Sequence, residues 1–145
     1  MSRFATGVVV VTGLSDGQPV GFTCQSFVPL SLEPPLVSFA AGSVGKTWAQ
    51  MRDLDELAIS VLASDHQHLG AQFAVSGADK FAGVEVVAAP NGAPLIVGAL
   101  AHISGRVVER IVQGDHEVAI VAVSHLESFD GEPLLYFRSA FRSLT

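Results

Sequence analysis

Cysteine is nearly absent from this sequence: of 145 residues, only Cys24 carries a thiol. No internal disulfide can form, and this usage fits a reducing, cytoplasmic setting. Charge is scarce too, at 15% of residues, and its balance is acidic, with a formal net charge of −6. That argues against a nucleic-acid-binding surface while leaving room for a local cationic pocket. No apolar run approaches the ~18 residues that span a bilayer, so no membrane segment is expected. The opening MSRFATG and the valines after it are too short for the apolar region of a signal peptide. Histidines are scattered. His66 and His68 lie two apart on a predicted helix and point to different faces, so no metal site is expected. Apolar residues, by contrast, are plentiful at 49%. The length suits a single domain, 1–145, with a real core and apolar surface left over for a subunit interface.

Taken in order, the β-branched run 6–12 reads as a strand, and Asp16-Gly17 turns it back into a second strand over 20–25. Residues 27–32 read as irregular, because Pro29, Pro34 and Pro35 crowd the segment. A third strand follows over 36–40, then a helix near 46–52 with Trp48 and Met51 on one face. A fourth strand covers 57–62. Ser64 and Gln67 have capping-box spacing for a second helix, whose Leu69 and Phe73 share a buried face. Loops are expected at 76–79 and 89–94. Strands at 99–111, 117–126 and 134–138 complete the chain. There is no regular βαβ alternation, which points to an antiparallel barrel with helices at its ends.

The segment Gly21–Thr47 carries the densest functional signal. Its end, AAGSVGKT at 40–47, follows a strand and opens a helix, and it fits a P-loop if Ala replaces the first glycine. A P-loop domain needs parallel strands with helical crossovers, whereas the strands here are joined by hairpins. The narrower physics survives: a glycine-bearing turn at a helix start, with Ser43, Lys46 and Thr47, can hold a phosphate. The plainer alternative is a solvent-facing Lys46 beside a capping Ser43 or Thr47.

A series of segments then resembles one family. FATGVVVVT at 4–12, GFTCQSF at 21–27, LSLEPPLVSF at 30–39, Trp48, AISVL at 58–62, DKFAG at 79–83, GDH at 114–116 and PLLYFR at 133–138 occur in the order found in the FMN-binding split-barrel flavin reductases. These are the small partners of two-component flavin monooxygenases. The GFTCQSF and DKFAG wording is most similar to reductases serving aromatic-ring or steroid-ring hydroxylases. The resemblance implies a mostly β protein, a six-stranded antiparallel split β-barrel of Greek-key type with short flanking helices, assembled as a homodimer. It implies FMN or FAD as the flavin, NADH or NADPH as the hydride donor, and a partner monooxygenase.

The same resemblance distributes roles. Thr23, Gln25, Ser26 and the backbone of Val28, Pro29, Leu30 and Ser31 would follow the flavin ring edge, where N–H donors are needed as the ring becomes anionic. Ser43, Lys46 and Thr47 would hold the phosphate. Phe73, Lys80, Phe81 and Tyr136 map near the flavin, although Phe73 is equally explained as the core face of its helix. His116 would sit by the nicotinamide; the plainer reading is a hairpin histidine. Trp48 reads best as core. Two other functions stay open on the residues alone: a non-catalytic flavin or haem carrier on the same barrel, and a P-loop-like nucleotide binder.

Overall fold

The run Val8–Val11 is buried on both of its faces. Val9 and Val11 join one hydrophobic cluster, and Val8 and Val10 join another. A strand with alternate side chains in two cores must lie between two layers, and this organises the molecule.

The computed structural model describes residues 2–77 and 79–145. In chain order their elements are β1 (Thr6–Gly7), β2 (Val9–Ser15), β3 (Gln18–Cys24), β4 (Val28–Ser31), β5 (Leu36–Gly42), α1 (Lys46–Met51) and β6 (Glu56–Val61). A 3-10 turn at Ser64–His66 runs into α2 (Gln67–Gln72). There follow β7 (Val86–Ala88), β8 (Pro94–Ile96), β9 (Ala101–Gln113), β10 (His116–Ser128), β11 (Leu135–Phe137) and β12 (Ala140–Arg142).

Seven strands form the main sheet in the order β3-β2-β6-β9-β10-β5-β4. Every neighbouring pair in it is antiparallel. Its inner face encloses the larger core, with Val9, Phe39, Ile59, Val107 and Val121, and α1 stops one end with Trp48 and Met51. The sheet does not close by a ladder. Instead, Ser26 Oγ accepts the Ala40 N–H at 2.8 Å and donates to the Ala40 carbonyl at 2.9 Å, so one hydroxyl bridges the end of β3 to β5. The second core lies outside β2. There Val8, Val10, Leu62, Leu69, Phe73, Ile96 and Leu134 pack under α2 and the three-stranded sheet β1-β11-β12.

The expected mostly β, split-barrel character is present, with differences of detail. The main sheet has seven strands where six were expected, because β4 adds to its edge. Residues 28–31 are a strand, not irregular; β4 is the outermost strand of the sheet, where Pro29 leaves no inner ladder bond unmade. The expected loop at 89–94 is the tip of the β7–β8 hairpin, and β12 follows the last expected strand. The Ser64/Gln67 pair does not cap the second helix: the chain enters a 3-10 turn first, His66 Nδ1 closes that turn by accepting the Ala63 N–H at 3.2 Å, and His66 then stands at the N-cap position of α2 without a side-chain bond to it.

Gly105 marks the tightest backbone approach on the long β9–β10 ladder. A Cβ there would stand 2.0 Å from the Ala122 carbonyl oxygen, beside a register shift at Val123/His125. Backbone in a paired strand cannot yield as a side chain does. Gly105→Ala is expected to cost about 2–3 kcal/mol, the upper part of the overpacking range. A lowered urea midpoint with unchanged slope checks it.

Candidate functional site

Two grooves open where the two cores meet. One, about 320 Å³, is lined by Pro19, Gly21, Lys46, Thr47, Asp79, Lys80 and Phe81 among others. The second, about 210 Å³, is lined by Thr23, Gly45, Thr47, Trp48, Phe73 and Lys80 among others. Thr47 and Lys80 belong to both, so the grooves adjoin across that pair.

The pair is built from distant sequence. Lys80 Nζ donates to Thr47 Oγ1 at 2.9 Å and to the Gly21 carbonyl at 3.2 Å. Gln72 on α2 fixes the Lys80 turn by donating to the Lys80 carbonyl at 2.7 Å and the Ala82 carbonyl at 2.9 Å. Burial pushes the Lys80 ammonium below the usual lysine range. An anion in the groove would reverse that pressure.

The start of α1 offers further donors. Its N-cap is Gly45, with no side-chain capping bond, so neither Ser43 nor Thr47 caps it. The first intrahelical bond there is Ala49 N–H to the Gly45 carbonyl, which leaves earlier N–H groups of the turn outward-facing. Lys46 is exposed at this end. Ser43 Oγ is buried with no partner among the described residues, although its backbone is held: its N–H donates to the Asp115 carbonyl at 2.9 Å, and its carbonyl accepts from Arg52 Nη2 at 3.2 Å. A buried hydroxyl without a partner is costly unless a ligand or water completes it. Such a donor set fits a phosphate.

His116 opens β10 and pairs in register with Gly42, so it stands beside this turn. It is exposed, and its Nδ1 lies 2.8 Å from Asp115 Oδ1. The Asp115 carboxyl is held below its usual range by that hydrogen bond and by the imidazole's charge.

The remaining sequence candidates fall into three places. Thr23 lines the second groove, but its hydroxyl is committed to the Gly70 carbonyl at 2.6 Å and its N–H to the Phe73 carbonyl at 3.3 Å. Phe73 is fully buried in the outer core, edge-on to Phe81 at 4.9 Å, and Tyr136 packs on Phe141 in the same cluster. Gln25, Ser26, Val28, Pro29, Leu30 and Ser31 run along the outer edge, away from the two grooves; Val28 and Leu30 are half exposed there. Trp48 is core, as read: it is 3% exposed, packs against Phe22 and Phe39, and donates to Glu117 Oε2 at 2.9 Å. Sequence reasoning missed Arg52 and Glu117, whose pairing spans 65 positions.

Topology removes the P-loop reading. β5 has antiparallel neighbours on both sides, β10 and β4. Among the described residues no cluster of three or more His, Cys, Asp or Glu could hold a metal, and no helix is long and apolar enough to cross a membrane.

Comparison with known proteins gives a consistent picture. The family model described as flavin reductase like domain matches residues 1–145. The reductase subunit HsaB of a flavin-dependent monooxygenase from Rhodococcus jostii is 40% identical over 145 residues, covering 99% of this chain and 74% of that protein. Among solved structures, a nitrilotriacetate monooxygenase component B homolog from Mycobacterium thermoresistibile superposes with a TM-score of 0.95 at 36% identity, covering 99% of this chain and 82% of that one. The NADH:FAD oxidoreductase SgcE6 of Streptomyces globisporus, in complex with NAD and FAD fragments, has a TM-score of 0.93 at 32% identity, covering 99% and 88%.

The second groove depends on α2, because α2 carries the carbonyls that hold Thr23. His66 sets the start of α2 and must be neutral to accept the Ala63 N–H. Burial lowers its pKa from 6.5, with Asp65 opposing and His68 reinforcing. The folded pKa is depressed, so this stabilisation is complete above about pH 6.5 and is lost as pH falls through the folded value. Stability is expected to drop by about 1 kcal/mol, one buried hydrogen bond, on that acid limb. In His66→Gln, whose amide oxygen can accept the same N–H, the limb flattens. Urea unfolding of both proteins from pH 8 to 5 checks it.

Proposed function

The chain belongs to the flavin reductase like family, and from that premise we propose that its grooves bind a flavin phosphate at the Ser43–Thr47 turn while the His116 side receives a reduced nicotinamide nucleotide. The protein is a flavin reductase of the kind that serves two-component monooxygenases. One observation carries the site reading: an uncapped turn holds the buried Ser43 hydroxyl, without a partner among the described residues, together with Lys46 and with Thr47, which Lys80 grips, in an otherwise acidic protein.

Bound flavin supplies the redox chemistry, accepting a hydride from NADH or NADPH and passing reducing equivalents to an oxygenase. The chain's own residues bind and orient. Ser43, Lys46 and the free N–H groups of α1 hold the phosphate, with Lys80 fixing the position of Thr47 beside it. Phe73 and Phe81 give the groove an apolar wall. Gln25 and the backbone from Ser26 through β4 offer polar groups along the outer edge, where a ring would extend beyond the grooves, while the Ser26 hydroxyl holds the seam at Ala40. His116 orients the carboxamide of the nicotinamide and needs no proton transfer, since hydride transfer requires no general base. The non-catalytic carrier reading lacks any observation in its favour. The partner, by the GFTCQSF and DKFAG segments, is a ring-hydroxylating monooxygenase, and the setting is cytoplasmic.

The outer face of β4, β5, β9 and β10 supports a homodimer. Val118 pairs in register with Ala40 and Ile111, and Ile120 with Ser38, which in turn pairs with Val28. These side chains point away from the enclosed core and stay half-buried or exposed, an apolar strip of Val28, Ala40, Ile111, Val118 and Ile120 broken by Ser38 and edged by Glu109 and Arg106. This is the same edge that carries the Gln25–Ser31 candidates, so a second copy would complete the ring end of the site.

Purified protein is expected to oxidise NADH or NADPH when FMN, FAD or riboflavin is added; no oxidation with any of them refutes the assignment. Lys46→Ala should raise KM for FMN about tenfold, one lost charge-assisted contact, while riboflavin changes little. His116→Ala should raise KM for the nicotinamide nucleotide about fivefold more than KM for flavin; equal losses would place His116 elsewhere. Light scattering should give twice the chain mass, and Val118→Glu should shift the population to monomer.

A further inference from the structure

We propose that Arg52 and Glu117 are positioning residues that hold the phosphate turn and the His116 turn in one frame, so that flavin-phosphate recognition and nicotinamide binding depend on the same ion pair. The inference rests on the reading of Ser43–Thr47 as the phosphate turn.

Glu117 is 9% exposed. Its Oε2 accepts from Trp48 Nε1 at 2.9 Å and from Arg52 Nη2. Trp48 lies inside α1 and Arg52 at its C-cap, so one carboxylate ties the whole helix to the first turn of β10. Arg52 Nη2 also reaches back past the helix start to the Ser43 carbonyl at 3.2 Å. The Ser43 N–H is taken by the Asp115 carbonyl at 2.9 Å. Ser43 is thus gripped at both backbone groups, once from α1 and once from the β9–β10 turn. Only its hydroxyl is left without a partner.

Arg52, Glu117 and Ser43 line neither groove; the turn meets the grooves at Gly42, Gly45, Lys46 and Thr47. The pair acts on that turn through the Ser43 backbone, not on a ligand. A structural role alone would need less. The Trp48 N–H requires only an acceptor, which a glutamine supplies. The charged pair adds directional control of Arg52, whose Nη2 alone serves the Glu117 carboxylate and the Ser43 carbonyl together, set in direction by the planar guanidinium. Arg52 Nε is itself buried and, among the described residues, without a partner, so the guanidinium is held there by its Nη2 contacts alone. Loosening Glu117 therefore frees Arg52, then Ser43, then the Asp115–His116 turn that is bonded to it.

The test uses the full chain with NADH and either FMN or riboflavin. Glu117→Gln keeps an acceptor for Trp48 and removes the charge. Arg52→Lys keeps the charge but replaces the planar fork with a single ammonium. In both variants KM for FMN is expected to rise about fivefold, with the ratio of riboflavin KM to FMN KM falling toward one. KM for NADH, measured with FMN, should rise alongside it, with kcat held within about threefold. If both variants lose thermal stability yet keep the wild-type flavin ratio, the pair is purely structural and the proposal is wrong. If Lys46→Ala also leaves the ratio unchanged, the phosphate-turn reading itself fails and takes this inference with it. A changed ratio in Lys46→Ala but in neither other variant overturns the inference alone.

Discussion

Burial of β2 on both faces is the constraint from which the rest follows. Val9 and Val11 commit one side to the enclosed sheet, and Val8 and Val10 commit the other to a second layer. Each fully buried valine stabilises by roughly 1.5–3 kcal/mol, so neither face can be surrendered to solvent. The second layer must therefore exist, and α2 with β11 and β12 supplies it. β3, hydrogen-bonded to β2, is carried to the line where the two layers meet. Both grooves open along that line, with Trp48 from one core and Phe73 and Phe81 from the other. Gly21 lies at the junction because a Cβ there would meet the Val11 carbonyl at 2.9 Å and the Phe73 ring at 3.4 Å. Its bare backbone lets the layers close, and its carbonyl then receives Lys80.

The electrostatics of the site are local rather than global. With a net charge of −6 the molecule as a whole repels anions. Lys46 and Lys80 offset this at short range, and around half-buried Lys80 partial burial weakens screening by solvent and salt. Their roles differ. Lys46 is exposed at the helix start and free to meet a phosphate. Lys80 is half-buried with two oxygen acceptors already in place, so it fixes Thr47 and contributes charge without moving.

Regular elements were legible in the sequence wherever one periodicity ruled. The 3.6-residue spacing of Trp48–Met51 and Leu69–Phe73 located both helices, and β-branched runs located the main strands. β4 was hidden by Pro29, since a proline argues against a strand unless the strand is known to be an edge, and that is a property of the assembled sheet. The candidate site was legible as a set of polar residues but not in how each is used. Ser26 reads as a ring-edge group, yet its hydroxyl bridges the seam at Ala40. Thr23 reads as a ring-edge donor, yet its hydroxyl serves Gly70. The same type of side chain can satisfy a ligand or a backbone carbonyl, and only distance decides. Lys80 with Thr47 and Arg52 with Glu117 lay beyond any local pattern, because their partners are 33 and 65 residues away.

The P-loop pattern at 40–47 shows what local sequence can and cannot specify. A strand, a glycine-bearing turn and a helix start generate free N–H groups whatever sheet surrounds them, because those donors come from the first turn of the helix alone. Sheet direction decides what stands next to that turn. In a parallel sheet with helical crossovers, the neighbouring strand leaves at the same end as the first. Here β10 runs antiparallel to β5, so its start lies against the end of β5, and His116 is placed opposite Gly42. The hairpin that delivers it also delivers the Asp115 carbonyl to the Ser43 N–H. Antiparallel pairing thus sets a histidine beside the turn that, on the proposed reading, receives the phosphate. The chemistry belongs to that juxtaposition and not to the motif.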